Sequence, residues 1–252
     1  MRSSIYGFTD YEIDVVIKFG GSITGDLPET KRLVEEIAAC AEMGHKLLVV
    51  PGGGRPDKAI EAIDRELPLE AITAHDATAL AQDQTGLILC DRAFSTAFRA
   101  CATLRECRAA LKDGAVPVLL PSRLLTDLDP VVMTWDVTSD AVAAWCAWLV
   151  DAPRLAVVTD IDGIYEPGKI GVETARIEEI APLDLIWMGT TSIDGCAVAW
   201  IGDKAIETVV LNGRHPERLR QWLLGRPFIG TLISNGRERR MADPCQSNQN
   251  ML

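Results

Sequence analysis

"DVVIKFGGSITGD", residues 14–26, joins an apolar, β-branched run to a lysine, two glycines and a serine. An unbroken run of Val, Ile and Phe reads as a strand buried on both faces. The run ends at Lys18 and Phe19, and Gly20, Gly21 and Ser22 follow where the chain must turn. The same construction recurs in "HKLLVVPGGGRPDK", residues 45–58, where a second apolar run ends in Pro51, Gly52, Gly53 and Gly54. Glycines lack a Cβ, so consecutive ones let backbone N–H groups approach an anion closely. Lys18 places a full positive charge beside those dipoles. The order differs from G-x-x-x-x-G-K-[ST], because here the lysine precedes the glycines. A tight strand-to-helix turn would use Gly20 to Ser22 equally well, and a permissive loop would use Gly52 to Gly54.

Outward from these two strands the pattern alternates. Residues 28–44 open with Pro and acids, repeat apolar residues at three and four, and stop at Gly44, which predicts a helix. Residues 46–51 predict the second strand, and residues 55–67 and 70–92 two helices. A further helix pair is expected over residues 95–111, then a strand over 115–121, a helix over 135–150 and a strand from Arg154 into the turn at Asp162 and Gly163. A strand ("ETVVLNG"), a helix ("HPERLRQWLLG") and a last strand ("PFIGTLIS") close the pattern. Residues 14–234 read as one domain, with residues 235–252 as a loose polar tail. Strand and helix alternating at this spacing predict an α/β fold, a mostly parallel sheet covered on both faces. Ligands of such sheets sit at the carboxyl ends of the strands, where the glycines lie.

Composition narrows the function classes. The chain has 252 residues, and its 48% hydrophobic content supports one sizeable core. Its net charge of −11 argues against general binding to nucleic acid or anionic membranes. Seven cysteines, with no C-x-x-C pair, predict reduced thiols and a cytoplasmic setting rather than a disulfide framework. Three widely spaced histidines predict no structural metal site. No signal-peptide core is seen, and no apolar run reaches the roughly 18 residues of a membrane span.

A third motif, "TDIDGIYEP" at residues 159–167, ends a strand in Thr159 and Asp160, turns on Asp162 and Gly163, and presents Tyr165. Such a loop can hold a nucleotide base on the tyrosine; an ordinary Asp-Gly turn with a packed tyrosine is the plain alternative. The three motifs in this order resemble the amino acid kinase family, over residues 14–234. The resemblance implies a three-layer αβα sandwich around a roughly eight-stranded sheet. It implies ATP with Mg²⁺ in the C-terminal half and the phosphoryl acceptor in the N-terminal half. On that resemblance Lys18 stabilises the transferring phosphoryl group, and Asp140, in "TWDVTSDAVAAW", orients the catalytic lysine. Gly20, Gly21, Ser22, Thr159, Asp160, Asp162 and Tyr165 fall on the nucleotide side. Gly52, Gly53, Gly54 and His75 fall on the acceptor side. Many members carry a second lysine after a Thr-Gly-Gly-Met segment; here that region reads "MGTTSIDGCAVAW", and Lys169 is the candidate substitute.

"AHDATALAQDQTGLIL", "PVLLPS" and "LNGRHPERLRQWLLG" further resemble one branch of the family, the [5-(aminomethyl)furan-3-yl]methyl phosphate kinases of methanofuran biosynthesis. That branch implies γ-phosphoryl transfer onto a phosphomonoester to give a diphosphate, in a homodimer or higher homo-oligomer. Asp76 or Asp83 would meet the substrate's ammonium. A uridylate or isopentenyl phosphate kinase, and an ATP-binding molybdenum-storage protein, are the alternatives that share this resemblance.

Overall fold

The computed structural model describes residues 10–189 and 191–234. The expected tail at 235–252 lies outside the described residues. Among them, one eight-stranded sheet runs in the order β3-β4-β2-β1-β5-β7-β8-β6. Its strands are β1 (Val15–Phe19), β2 (Leu47–Pro51), β3 (Phe98–Cys101), β4 (Val116–Leu119), β5 (Arg154–Thr159), β6 (Glu179–Ile180), β7 (Glu207–Asn212) and β8 (Thr231–Ile233). All neighbours pair in parallel except β7 with β8. The expected mostly parallel α/β architecture is therefore present.

The helices are α1 (Leu27–Glu42), α2 (Gly54–Glu66), α3 (Ala71–Leu89), α4 (Leu104–Lys112), α5 (Ser122–Leu128), α6 (Ser139–Leu149), α7 (Pro182–Met188), α8 (Gly195–Asp203) and α9 (Glu217–Leu223). They divide over two cores. Val15, Ile17 and Phe19 of β1 pack with α1 and α9, whereas Val16 packs with α6. Side chains alternate along a strand. Lys18 therefore shares the α6 face with Val16, and that parity decides which helix the lysine meets.

Two expectations are corrected. The helix pair over 95–111 is a strand followed by one helix: Phe98–Cys101 forms the edge strand β3 beside β4, then α4 begins. Four residues with exposed Arg99 among them are too few to show a two-residue period in sequence. The short helices α5, α7 and α8 were also not foreseen, since each spans only two or three turns.

β1 lies between β2 and β5, so the chain builds outward from β1 in both directions. This is the switch point where α/β sheets open a crevice at their carboxyl ends. In register, Phe19 stands level with Pro51 on one side and Val158 on the other. The two glycine segments therefore leave the sheet at the same height.

Candidate active site

The glycines form a close-packed corner. A Cβ on Gly21 would lie 2.5 Å from the Gly54 nitrogen, and one on Gly52 would lie 2.8 Å from the Gly21 nitrogen. Only bare backbone lets these two loops touch. Gly54 has φ +62°, and the hydroxyls of Thr24 and Thr85 close around it. Thr85 donates to the Gly53 carbonyl (2.8 Å) and Thr24 to the Gly21 carbonyl (2.7 Å).

Not every glycine N–H is available to an anion. Gly20 donates to the Val158 carbonyl (2.9 Å) and Gly52 to the Phe19 carbonyl (2.8 Å). Both extend the sheet ladder, so these two N–H groups are already taken by the protein. The N–H groups of Gly21, Gly53 and Gly54 take no partner among the described residues. Ser22 is exposed in the turn after Gly21 and makes no cap bond.

Lys18 and Asp140 meet as expected. Lys18 Nζ lies 2.8 Å from Asp140 Oδ1, and both side chains are about nine-tenths buried. Asp140 Oδ1 has no aligned hydrogen-bond donor, so charge rather than bond geometry holds the pair. Asp140 stands in the first turn of α6, where its N–H donates to the Thr138 hydroxyl (3.1 Å). That turn is fixed from outside by a residue sequence reasoning missed. Asp194 Oδ2 accepts from the Thr138 N–H (3.0 Å), the Thr138 hydroxyl (2.7 Å) and the Ala141 N–H (3.2 Å). Its Oδ1 caps α8 through the Ala197 N–H (2.8 Å). One carboxylate thus ties the starts of α6 and α8 together. Burial pushes its pKa up against the pull of these donors. The available signal was Asp194 before a helical apolar run, an N-cap pattern.

On the β5 side the nucleotide-loop residues are largely engaged with the protein. Asp162 pairs with Arg218 of α9 and accepts from Asn212 Nδ2 (3.1 Å). Burial raises the Asp162 carboxyl, but the hydrogen bonds from Arg218 and Asn212 outweigh it, and its pKa falls below the ordinary value. Thr159 ends β5, and its hydroxyl approaches Asp160 Oδ1 (3.3 Å). Tyr165 is 6% exposed and pairs with Arg176 in an isolated bridge, leaving its ring little free face for a base. Lys169 is exposed and held by Glu166 (2.6 Å), a surface pair rather than a group at the glycine corner.

Beside the corner opens a cavity of about 410 Å³, lined by α2, α3, the start of α6 and the loop carrying Met133 and Trp135. Gly53 and His75 both line it. They stand far apart in it: His75 is ten residues before Thr85, about 15 Å along α3. His75 Nε2 and Gln82 Oε1 are buried there without partners. Asp57, Glu61 and Asp64, at i, i+4 and i+7, give the wall one acidic face. Asp83, one of the two proposed ammonium partners, is engaged elsewhere: it takes the Ser122 N–H (3.1 Å) and hydroxyl at the start of α5.

The comparisons match this geometry. The profile of the amino acid kinase family matches residues 15–212, from the first residue of β1 to the last of β7. This chain belongs to the amino acid kinase family. As a family member it is a phosphotransferase. The [5-(aminomethyl)furan-3-yl]methyl phosphate kinase of Methanocaldococcus jannaschii is 27% identical over 220 residues, 86% of this chain and 96% of that protein. A uridylate kinase of Natronomonas pharaonis is 29% identical over 87% of this chain and 97% of its own length. Among solved structures, uridylate kinase from Archaeoglobus fulgidus superposes with a TM-score of 0.70 at 21% identity, over 88% of this chain and all of that one. UMP kinase from Bacillus anthracis gives 0.72 at 18%, over 88% and 96%. These two establish the shared fold.

Proposed function

We propose that this amino acid kinase transfers the γ-phosphoryl group of ATP onto a small phosphomonoester, forming a diphosphate, with [5-(aminomethyl)furan-3-yl]methyl phosphate as the acceptor. The buried Lys18–Asp140 pair, set between the bare glycine corner and an acidic-walled cavity, carries the reading. A phosphomonoester oxygen is already ionised near neutral pH, so the site needs no general base. Catalysis then rests on positioning and on neutralising charge. Lys18 meets the moving phosphoryl group, Asp140 holds Lys18 in place, and the N–H groups of Gly21, Gly53 and Gly54 receive phosphate oxygens.

ATP lies on the β5–β7 side in this reading, and the acceptor in the α2–α3 cavity. Among the described residues no three His, Cys, Asp or Glu side chains gather as a metal cage. Mg²⁺ therefore fits as an ion carried by the nucleotide phosphates, where such ions usually bind. Assembly into a homo-oligomer is supported by Leu80, Leu87 and Ile88, each more than half exposed on α3.

The relatives favour two acceptors, a furan phosphate and UMP. The acidic wall supports the first, since a neutral uracil gains nothing from three carboxylates. The test is incubation with Mg-ATP and the furan phosphate, UMP or isopentenyl phosphate, followed by mass spectrometry of the products. Selective conversion of the furan phosphate is expected. Selective conversion of UMP would replace the acceptor, and no diphosphate from any of them would remove all three as acceptors.

A further inference from the structure

The three acidic residues of the cavity wall are not equivalent. Glu61 is used by Lys58 (2.7 Å) and Arg65 (2.9 Å). Asp64 Oδ1 accepts from the Leu69 N–H (2.8 Å). Asp57 alone of the three has a side chain with neither an ion pair nor a hydrogen bond among the described residues. It is held against the floor of the cavity: a Cβ on Gly53 would fall 2.4 Å from Asp57 Cβ and 3.1 Å from its Oδ1. Gly53 is thus a glycine partly because this carboxylate lies over it.

A second group on the facing helix points to the same ligand chemistry. Gln82 lines the cavity, is 6% exposed, and its Oε1 has no partner. Gln82 stands three residues before Thr85, which grips the Gly53 carbonyl, so both acceptor atoms flank the inner end of the cavity. A half-buried carboxylate and a buried amide oxygen, both unfilled, ask for a ligand with at least two N–H donors and a positive charge.

Resting on the acceptor reading above, we infer that Asp57, assisted by Gln82, is the ammonium-recognising subsite that selects a cationic phosphomonoester. Asp83 of α3, held by Ser122, is engaged away from that subsite. Burial, and then the charge of Glu61, push the Asp57 carboxyl above its ordinary value, as befits a carboxylate waiting for a cation.

Calorimetry without ATP tests this directly, using [5-(aminomethyl)furan-3-yl]methyl phosphate and its hydroxymethyl counterpart on the intact protein. The amine should bind about 10- to 100-fold more tightly, the range of a charge-assisted hydrogen bond. Asp57→Asn should bring the two to parity, and Gln82→Leu should remove part of the preference. Equal affinities in the unaltered protein overturn the inference and need no variant to fold. So does an Asp57→Asn protein that keeps the preference while requiring more Mg²⁺ for turnover, since Asp57 would then serve the metal. Tight, Asp57-dependent binding of the amine with no diphosphate formed from ATP would uphold the subsite and remove the furan phosphate as the phosphoryl acceptor.

Discussion

On the β5–β7 flank of the site, Asp162 already holds Arg218 and Asn212, and Lys169 already holds Glu166. On the α2–α3 flank, His75 Nε2 and Gln82 Oε1 are buried without partners, and the half-buried Asp57 carboxylate has no ion pair or hydrogen bond among the described residues. Both flanks carry polar groups next to a phosphoryl-transfer centre, yet they keep them differently. Buried polar atoms are normally satisfied, and the exceptions mark places where something else completes the bond. On the proposed function, the nucleotide flank is a cradle finished by the protein itself and the acceptor flank is left open for a ligand. The Lys18–Asp140 pair stands between them and belongs to both.

The largest effect should come from breaking that central pair. Lys18→Met is expected to lower kcat by about 10²–10³-fold, the scale for removing one preorganised stabiliser of transition-state charge. It should also destabilise the fold by about 3–5 kcal/mol, because Asp140 is left buried and uncompensated. Lys18→Met with Asp140→Asn should recover most of that stability in urea titrations while remaining inactive. A single variant with full stability and full turnover would deny Lys18 its role. A double variant that stays as unstable as the single one would show that the loss is packing rather than charge.

A smaller effect tests whether the nucleotide flank is truly self-satisfied. Arg218→Met should cost about 1–3 kcal/mol, less than a fully buried pair because Asp162 is about one-third exposed. The pH dependence fixes the sign. The folded Asp162 pKa lies below the ordinary 3.8, so the pair's stabilisation is present above that value. It is lost as pH falls through the folded pKa. Unfolding of the unaltered protein should therefore lose more stability between pH 4 and lower pH than unfolding of Arg218→Met. Parallel acid limbs would mean that Arg218 does not set this carboxylate, and the contrast between the flanks would weaken.

The same contrast explains what the sequence disclosed. The glycine corner was legible because two apolar runs each end in glycines, and strand parity then puts Lys18 under α6. Asp140 came through the family resemblance, since a carboxylate in a first helical turn is ordinarily read as helix-dipole chemistry. Asp194 was hidden because it acts on Thr138, 56 residues earlier in the chain. Asp57 was hidden differently. Acids at i, i+4 and i+7 read as a solvated helix face, and only the packing of α3 and the Met133–Trp135 loop against α2 turns that face into a cavity wall. Tyr165 and Asp162 were noticed, but whether a polar loop serves the ligand or the fold depends on partners such as Arg218 that lie far along the chain.

Lys169 gives the smallest expected effect and the finest test. With side chains 56% and 52% exposed, its pair with Glu166 is worth little in water. Lys169→Ala should shift unfolding by no more than about 0.5 kcal/mol. If the β5–β7 flank is complete as it stands, the KM for ATP should also stay within about twofold, far less than the tenfold that 1.4 kcal/mol of lost binding would give. A weak surface pair is nonetheless easily surrendered, and a lysine leaving Glu166 for a triphosphate would gain far more charge than it gives up. A rise of about tenfold or more in KM for ATP, with stability unmoved, would therefore show that Lys169 supplies a second cation to the nucleotide. The nucleotide flank would then, like the acceptor flank, be completed only by its ligand.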